Sequence, residues 1–130
     1  LANNYSDLLK TKSTGLYIGW AIFIALLTLL PGNAFPHWTW TFASLDKWVH
    51  FIVFLVLSAT GMMAFTFGSL KRWGRHPILL SLLIAILYGA SLEYTQALIP
   101  DRTFDYADML ANTGGSLGGY LAFKLILLLD

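Results

Sequence analysis

Ionisable residues are scarce in this sequence. Yet the run from Glu93 to Asp108 holds four carboxylates, Glu93, Asp101, Asp105 and Asp108, beside Arg102, at the junction of two apolar segments. A second polar patch, Asp46, Lys47 and His50, opens an earlier apolar run. At membrane depth such groups require a partner, a ligand or a wet cavity, so the two patches are expected to close into one polar site. His50, Glu93, Asp105 and Asp108 are the candidate catalytic residues, because burial can tune a carboxyl toward proton transfer near working pH. Asp46, Lys47, Gln96, Arg102 and Asn112 form the candidate substrate-binding set. Lys47, Arg102 and protonated His50 suit a phosphate, pyrophosphate or carboxylate, while Gln96 and Asn112 would orient substrate by hydrogen bonds.

Helical spacing supports this grouping. Asp46 and His50 lie at i and i+4 and share a face, which Lys47 borders. Asp46 alone reads equally well as a favourable charge at a helix N-terminus, and Lys47 as a snorkelling anchor. His50 lies a turn inside the run from Trp48 to Leu57, where an imidazole facing lipid would be costly. Glu93 and Gln96, at i and i+3, share another face, and Glu93 lies more than a turn before Pro100. The plain alternative for Glu93 is a structural ion pair with Arg102 or Lys47. Asp108 and Asn112, again at i and i+4, share a third face. Helix capping accounts for Asp105 and partly for Asp108, but not for Asn112.

The elements that must carry these residues are four apolar segments, expected as helices over about 13–31, 46–67, 78–98 and 105–129. Pro31-Gly32 stops the first, and Ser13 and Thr14 join it to reach the ~20 residues that a ~30 Å hydrocarbon core demands. Asn33 to Ser44, with Phe35, Trp38, Trp40 and Phe42, suits the headgroup level. Ser44 is the expected N-cap of the second helix, with Asp46 in its first turn. Gly68 to Pro77 forms a basic loop holding Lys71, Arg72, Arg75 and His76. Pro100 ends the third helix, and Asp105-x-x-Asp108 resembles an N-cap with an acidic third position. Gly114, Gly115, Gly118 and Gly119 make a doubled small-residue stripe. Packing inside the bundle is preferred for it over a homodimer seam. Gly61 and Gly89 read as packing positions too.

Composition agrees with a membrane setting. Of 130 residues, 57% are hydrophobic and 12% charged, about half the charge of an ordinary soluble domain. Mean hydropathy is +0.65. The expected fold is a single all-α integral membrane domain over 1–130, a bundle of four transmembrane helices with its polar site at the extracytoplasmic face. No cysteine is present, which excludes disulfides, thiolate zinc sites and a cysteine nucleophile. The net charge of +1 gives no reason to expect nucleic acid as a partner. A cleavable signal peptide is not expected, since the first apolar run lacks an Ala-x-Ala pattern. The first residue is Leu, which leaves the natural start open.

Lys10, Lys12, Lys71, Arg72, Arg75 and Lys124 fall on one side of the expected spans and only Lys47 and Arg102 on the other, six against two. That distribution puts both termini and the basic loop in the cytoplasm. Asp46, Glu93, Asp101, Asp105 and Asp108 then face outward.

Taken together, Asp46-Lys47-x-x-His50-Phe51, Glu93-x-x-Gln96 and Arg102-x-x-Asp105-x-x-Asp108-x-x-x-Asn112-x-x-Gly115 resemble the VanZ-like family. These are small bacterial membrane proteins named after an accessory factor that raises teicoplanin resistance. The resemblance covers roughly Asp46 to the end. It implies a location in the bacterial cytoplasmic membrane, a role in the cell envelope and glycopeptide tolerance; it supplies no reaction.

The leading expectation is therefore an outer-leaflet site that binds or modifies a lipid-linked or peptidoglycan-related intermediate. A divalent cation held by one imidazole and several carboxylates, magnesium, manganese or calcium rather than a thiolate-type zinc, is a less favoured addition, because no His-x-x-x-His or Glu-x-x-His pattern fixes one. A non-enzymatic bundle, whose polar cluster sets helix register or docks a partner, is the main alternative. Transport ranks below both, since the ionisable groups gather at one face and no inverted repeat is visible.

Overall fold

The computed structural model describes residues 2–34 and 43–129, with side chains at 7, 8, 10–31, 33–34 and 45–129. Four long helices account for most of it: α1 (Ala2–Thr28), α2 (Ala43–Thr66), α3 (Pro77–Gln96) and α4 (Tyr106–Leu128). Short 3-10 turns at Gly32–Ala34 and Ser69–Trp73 lie in two of the connections. The described residues contain no strand.

Three boundaries differ from those read in the sequence. α1 begins at Ala2 rather than 13, because its polar start contains no glycine or proline before Gly15 and tolerates helix. There Thr11 and Ser13 return their hydroxyls to the carbonyls of Asp7 and Lys10. α1 ends at Thr28, a turn before Pro31. α2 begins at Ala43, so Ser44 lies inside the helix instead of capping it, whereas Asp46 does fall in the first turn. The basic loop is partly a 3-10 turn, and Pro77 opens α3 at N1, where a missing N–H costs nothing. The expectation for Phe35, Trp38, Trp40 and Phe42 lies outside the described residues.

α2 is the central helix. It packs most extensively along α4 and also against α1 and α3, which barely meet each other. The α2 to α4 approach depends on glycine. A Cβ on Gly115 would collide with the Phe51 carbonyl oxygen, and one on Gly119 would stand 2.7 Å from that of Leu55. Gly114 and Gly118 border the side chains of Phe51 and Leu55 on the same partner helix. The stripe therefore packs within the chain, and a dimer seam there would have to displace α2. Gly61 and Gly89 also mark tight crossings, beside Ser81 and Phe54.

Elsewhere Trp20 donates its indole N–H to the Val53 carbonyl at 2.9 Å, and the Tyr88 hydroxyl donates to that of Ala21 at 2.6 Å. Around them Ile24, Phe54, Leu57, Phe65 and Leu92 form the main core. Met62, Met63 and Phe123 fill a second cluster between α2 and α4.

Polarity is arranged against the rule for water-soluble domains. Leu26, Leu87, Leu121 and Leu128 are each more than 60% exposed. Ser58, Ser81, Glu93, Gln96, Asp108, Asn112 and Ser116 are buried. The segments Leu45–Thr66 and Pro77–Gln96, of 22 and 20 residues, are long and apolar enough to cross a membrane.

Candidate functional site

The polar residues meet at one end of the bundle, where α2 and α4 begin and α3 stops. α4 starts there because Asp105 caps it: extended at φ −124° and ψ 112°, it accepts the Ala107 N–H at 2.7 Å on its side chain. The preceding turn reverses the chain through Pro100 and Asp101, and Asp101 adopts φ 62°. This left-handed conformation suits a short polar side chain better than most.

Lys47 is the hub. Its ammonium donates to Asp105 Oδ2 at 2.6 Å, to Asp108 Oδ1, and at 3.4 Å to Asp46 Oδ2. The Lys47 hydrogen bond, followed by that from the Ala107 amide, holds the Asp105 carboxyl below the usual carboxylate range. Three carboxylates around one ammonium leave two net negative charges, before His50 and Glu93 are counted. The expectation that Lys47 helps to hold a phosphate therefore meets an ammonium already committed to carboxylates.

His50 lies one turn further along α2. Its Nδ1 meets Asn112 Oδ1 at 2.9 Å, and Asn112 is only 3% exposed. This contact anchors one ring nitrogen and turns the other, Nε2, toward the site. That Nε2 stands 3.6 Å from Asp108 Oδ2 and 3.9 Å from Asp46 Oδ1. Each carboxylate thus gives one oxygen to Lys47 and turns the other toward His50.

Glu93, at 1% exposure, reaches the group from α3 by accepting the Asp105 backbone N–H on Oε1 at 2.8 Å. No ion pair with Lys47 or Arg102 is found for it among the described residues. Gln96 and Arg102 turn toward α1 instead. Gln96 Nε2 donates to the Thr28 carbonyl at 3.0 Å and Arg102 Nη2 to that of Leu30 at 3.2 Å. The first satisfies a carbonyl of the last turn of α1 that the helix itself leaves open, and the second a carbonyl two residues past its end.

Of the nine residues singled out, Asp46, Lys47, His50, Glu93, Asp105, Asp108 and Asn112 come together, while Gln96 and Arg102 fasten the neighbouring helix. Sequence reasoning missed the aromatic rim. Tyr94, Phe104 and Tyr106 meet in series, tilted and then edge-to-face, with ring centroids 5.0 and 4.7 Å apart, and Tyr94 and Tyr106 are 65% and 72% exposed. Aromatic residues flanking the Pro100 turn on both sides were the available signal.

These features define a helical protein with membrane-compatible apolar helices and a partly buried charged cluster at one end. The sequence matches the VanZ/LLP1 family over residues 8–128, and the chain belongs to that family. The match starts well before Asp46, so α1 is part of the family unit. Neither a curated protein nor a solved structure matches the chain.

Proposed function

We propose that this is a multi-pass protein of the bacterial cytoplasmic membrane whose polar site faces away from the cytosol and binds or acts on a cell-envelope intermediate. One observation carries this reading: a hydrogen-bonded group drawn from three helices, Lys47 with Asp105 and Asp108, His50 with Asn112, and Glu93 with the Asp105 amide, gathers at a single end of an otherwise lipid-compatible bundle.

The orientation is supported by the way the basic residues gather. Ser69 donates its backbone N–H to Thr14 Oγ1 at 3.0 Å, which draws the basic loop to the lysine-bearing part of α1. The polar cluster lies at the opposite ends of α2 and α3. An excess of lysine and arginine marks the cytoplasmic side, so the cluster faces out and both termini face in. The exposed rings of Tyr94 and Tyr106 beside it suit the headgroup level, where a lipid-linked substrate would reach the site sideways. His50, Glu93, Asp105 and Asp108 supply the acid–base groups of this reading; His50 and Asp108 stand 3.6 Å apart, so a proton passes between them only through a bridging water or bound group. Resemblance to the teicoplanin-resistance factor supports glycopeptide tolerance as the phenotype.

The test is complementation of glycopeptide tolerance with His50→Ala, Glu93→Gln and Asp108→Asn, with membrane abundance measured in parallel. Tolerance lost at normal abundance is the expected result; tolerance retained in all three variants would sink the reading. A second reading, a non-enzymatic bundle locked by its polar cluster, is favoured by the full engagement of the Lys47 ammonium and by the Gln96 bond to α1. Loss of folded protein together with tolerance would favour it.

A further inference from the structure

We infer that Asp46, His50 and Asp108 hold one divalent first-row cation, with Asn112 as the residue that orients the histidine. The inference rests on the outward-facing site proposed above but on no particular substrate. It starts from the division of labour among the carboxylate oxygens. Lys47 takes Asp108 Oδ1 and Asp46 Oδ2, and the opposite oxygens, Asp108 Oδ2 and Asp46 Oδ1, face His50 Nε2 at 3.6 and 3.9 Å. Those gaps are too long for hydrogen bonds. They are close to the separation of two ligand atoms that share a tetrahedral ion, roughly 3.4 Å for bonds of about 2.1 Å. One ligand atom from each of the three residues lies within 4.8 Å of the other two.

The second observation is the anchoring of the ring. Buried Asn112 meets Nδ1 at 2.9 Å, which holds Nε2 facing the two carboxylates. A metal-binding histidine is commonly fixed in this way by an acceptor on its far nitrogen. The two net negative charges left after Lys47 is counted also favour a dication over an anion. Imidazole with two carboxylates and no thiolate suits Zn²⁺ or Mn²⁺. Three protein ligands leave a position open, and Asp46, with a 62% exposed side chain, opens the group to the outside. Such an ion would restore the positive charge that Lys47 has given to Asp105 and Asp108, so that a phosphate or carboxylate oxygen could approach.

The test uses the full chain, purified in detergent and stripped of metal, then titrated with Mn²⁺ and followed by electron paramagnetic resonance. One saturable Mn²⁺ per chain, displaced by Zn²⁺, is expected. Asn112→Ala, which keeps all three ligands, should weaken binding roughly tenfold or more. Asp46→Asn, altering an exposed side chain, should weaken it without disturbing the fold, and Lys71→Gln should leave it unchanged. Absence of saturable binding overturns the inference, as does binding indifferent to both Asp46→Asn and Asn112→Ala. A His50 found protonated on both nitrogens by NMR and unaffected by Mn²⁺ or Zn²⁺ also overturns it. Tolerance that depends on His50 in a protein that binds no metal would overturn the cation and spare the envelope reading. Metal binding with tolerance indifferent to His50 would do the reverse.

Discussion

Glu93, near the end of α3, accepts the backbone N–H of Asp105, the residue that caps α4, at 2.8 Å. One buried carboxylate thereby joins the close of the third helix to the opening of the fourth. Glu93→Ala would leave that N–H without its acceptor, at about 1–3 kcal/mol. Glu93→Gln keeps a carbonyl oxygen in place and should cost less than half as much. Thermal unfolding in detergent checks the pair; equal losses would mean that the charge, rather than the acceptor, holds the turn.

Gly114 and Gly115 are neighbours with opposite expectations. A methyl group on Gly115 would collide with the Phe51 carbonyl and force α2 away from α4, whereas one on Gly114 would meet the Phe51 ring at an ordinary 3.6 Å. Gly115→Ala should therefore destabilise by ~1–3 kcal/mol or more. Gly114→Ala should be neutral, or gain up to about 1 kcal/mol from helix propensity. Unfolding midpoints of the two variants decide the matter.

Asp105 gives the fold an acid limb. Its folded carboxyl is held below the ordinary value of 3.8, first by Lys47 and then by the Ala107 amide. The stability it contributes is thus fully present above that ordinary value and is lost as pH falls through the lower folded one. Asp105→Asn keeps a good cap but removes the titration, so the difference from wild type should shrink as pH falls below about 4. Asp105→Ala loses the cap too, at ~1 kcal/mol at every pH. Melting curves between pH 6 and pH 2 (roughly the span over which carboxylates titrate) separate the three proteins.

Much of this arrangement was readable in the residues. Four apolar runs broken at Pro31, Gly68 and Pro100 marked four helices, and i, i+4 spacing put Asp46 with His50 and Asp108 with Asn112. Convergence of the two patches followed from the cost of leaving ionisable groups in lipid. Partner choice was hidden, because it depends on where the turns place backbone atoms. Gln96 lies one turn from Glu93, yet its amide finds the Thr28 carbonyl at the end of α1. Glu93 finds a backbone N–H instead of a cation, because Asp105 and Asp108 already surround Lys47. The early start of α1 was missed for a simpler reason: hydropathy marks the apolar part of a helix, not its polar first turns.

The proposed orientation can be tested directly, since the chain has no cysteine. Single cysteines at Lys71, in the basic turn, and at Thr103, in the exposed turn before Asp105, should label oppositely with a membrane-impermeant maleimide. Thr103→Cys should react in intact spheroplasts, and Lys71→Cys only after lysis. Labelling of both from outside would remove the outward-facing site.

Lys47→Gln separates the two ways of using the cluster by the sign of its effect. If Lys47 were there to grip an anion, its loss would weaken binding of phosphate-bearing ligands and leave cation affinity alone. In the arrangement seen here its ammonium pairs with Asp108 and Asp46 beside His50. Its loss should cost stability between the ~1 kcal/mol of an exposed ion pair and the ~3–5 kcal/mol of a buried one, because the carboxylates then repel one another. The same repulsion should make Lys47→Gln bind Mn²⁺ or Zn²⁺ more tightly than wild type. Ligands that bind only the folded state raise its stability, so the metal should lift the unfolding temperature of Lys47→Gln by more than that of the parent protein. A variant destabilised equally with and without metal would mean that no cation competes with Lys47 for these oxygens.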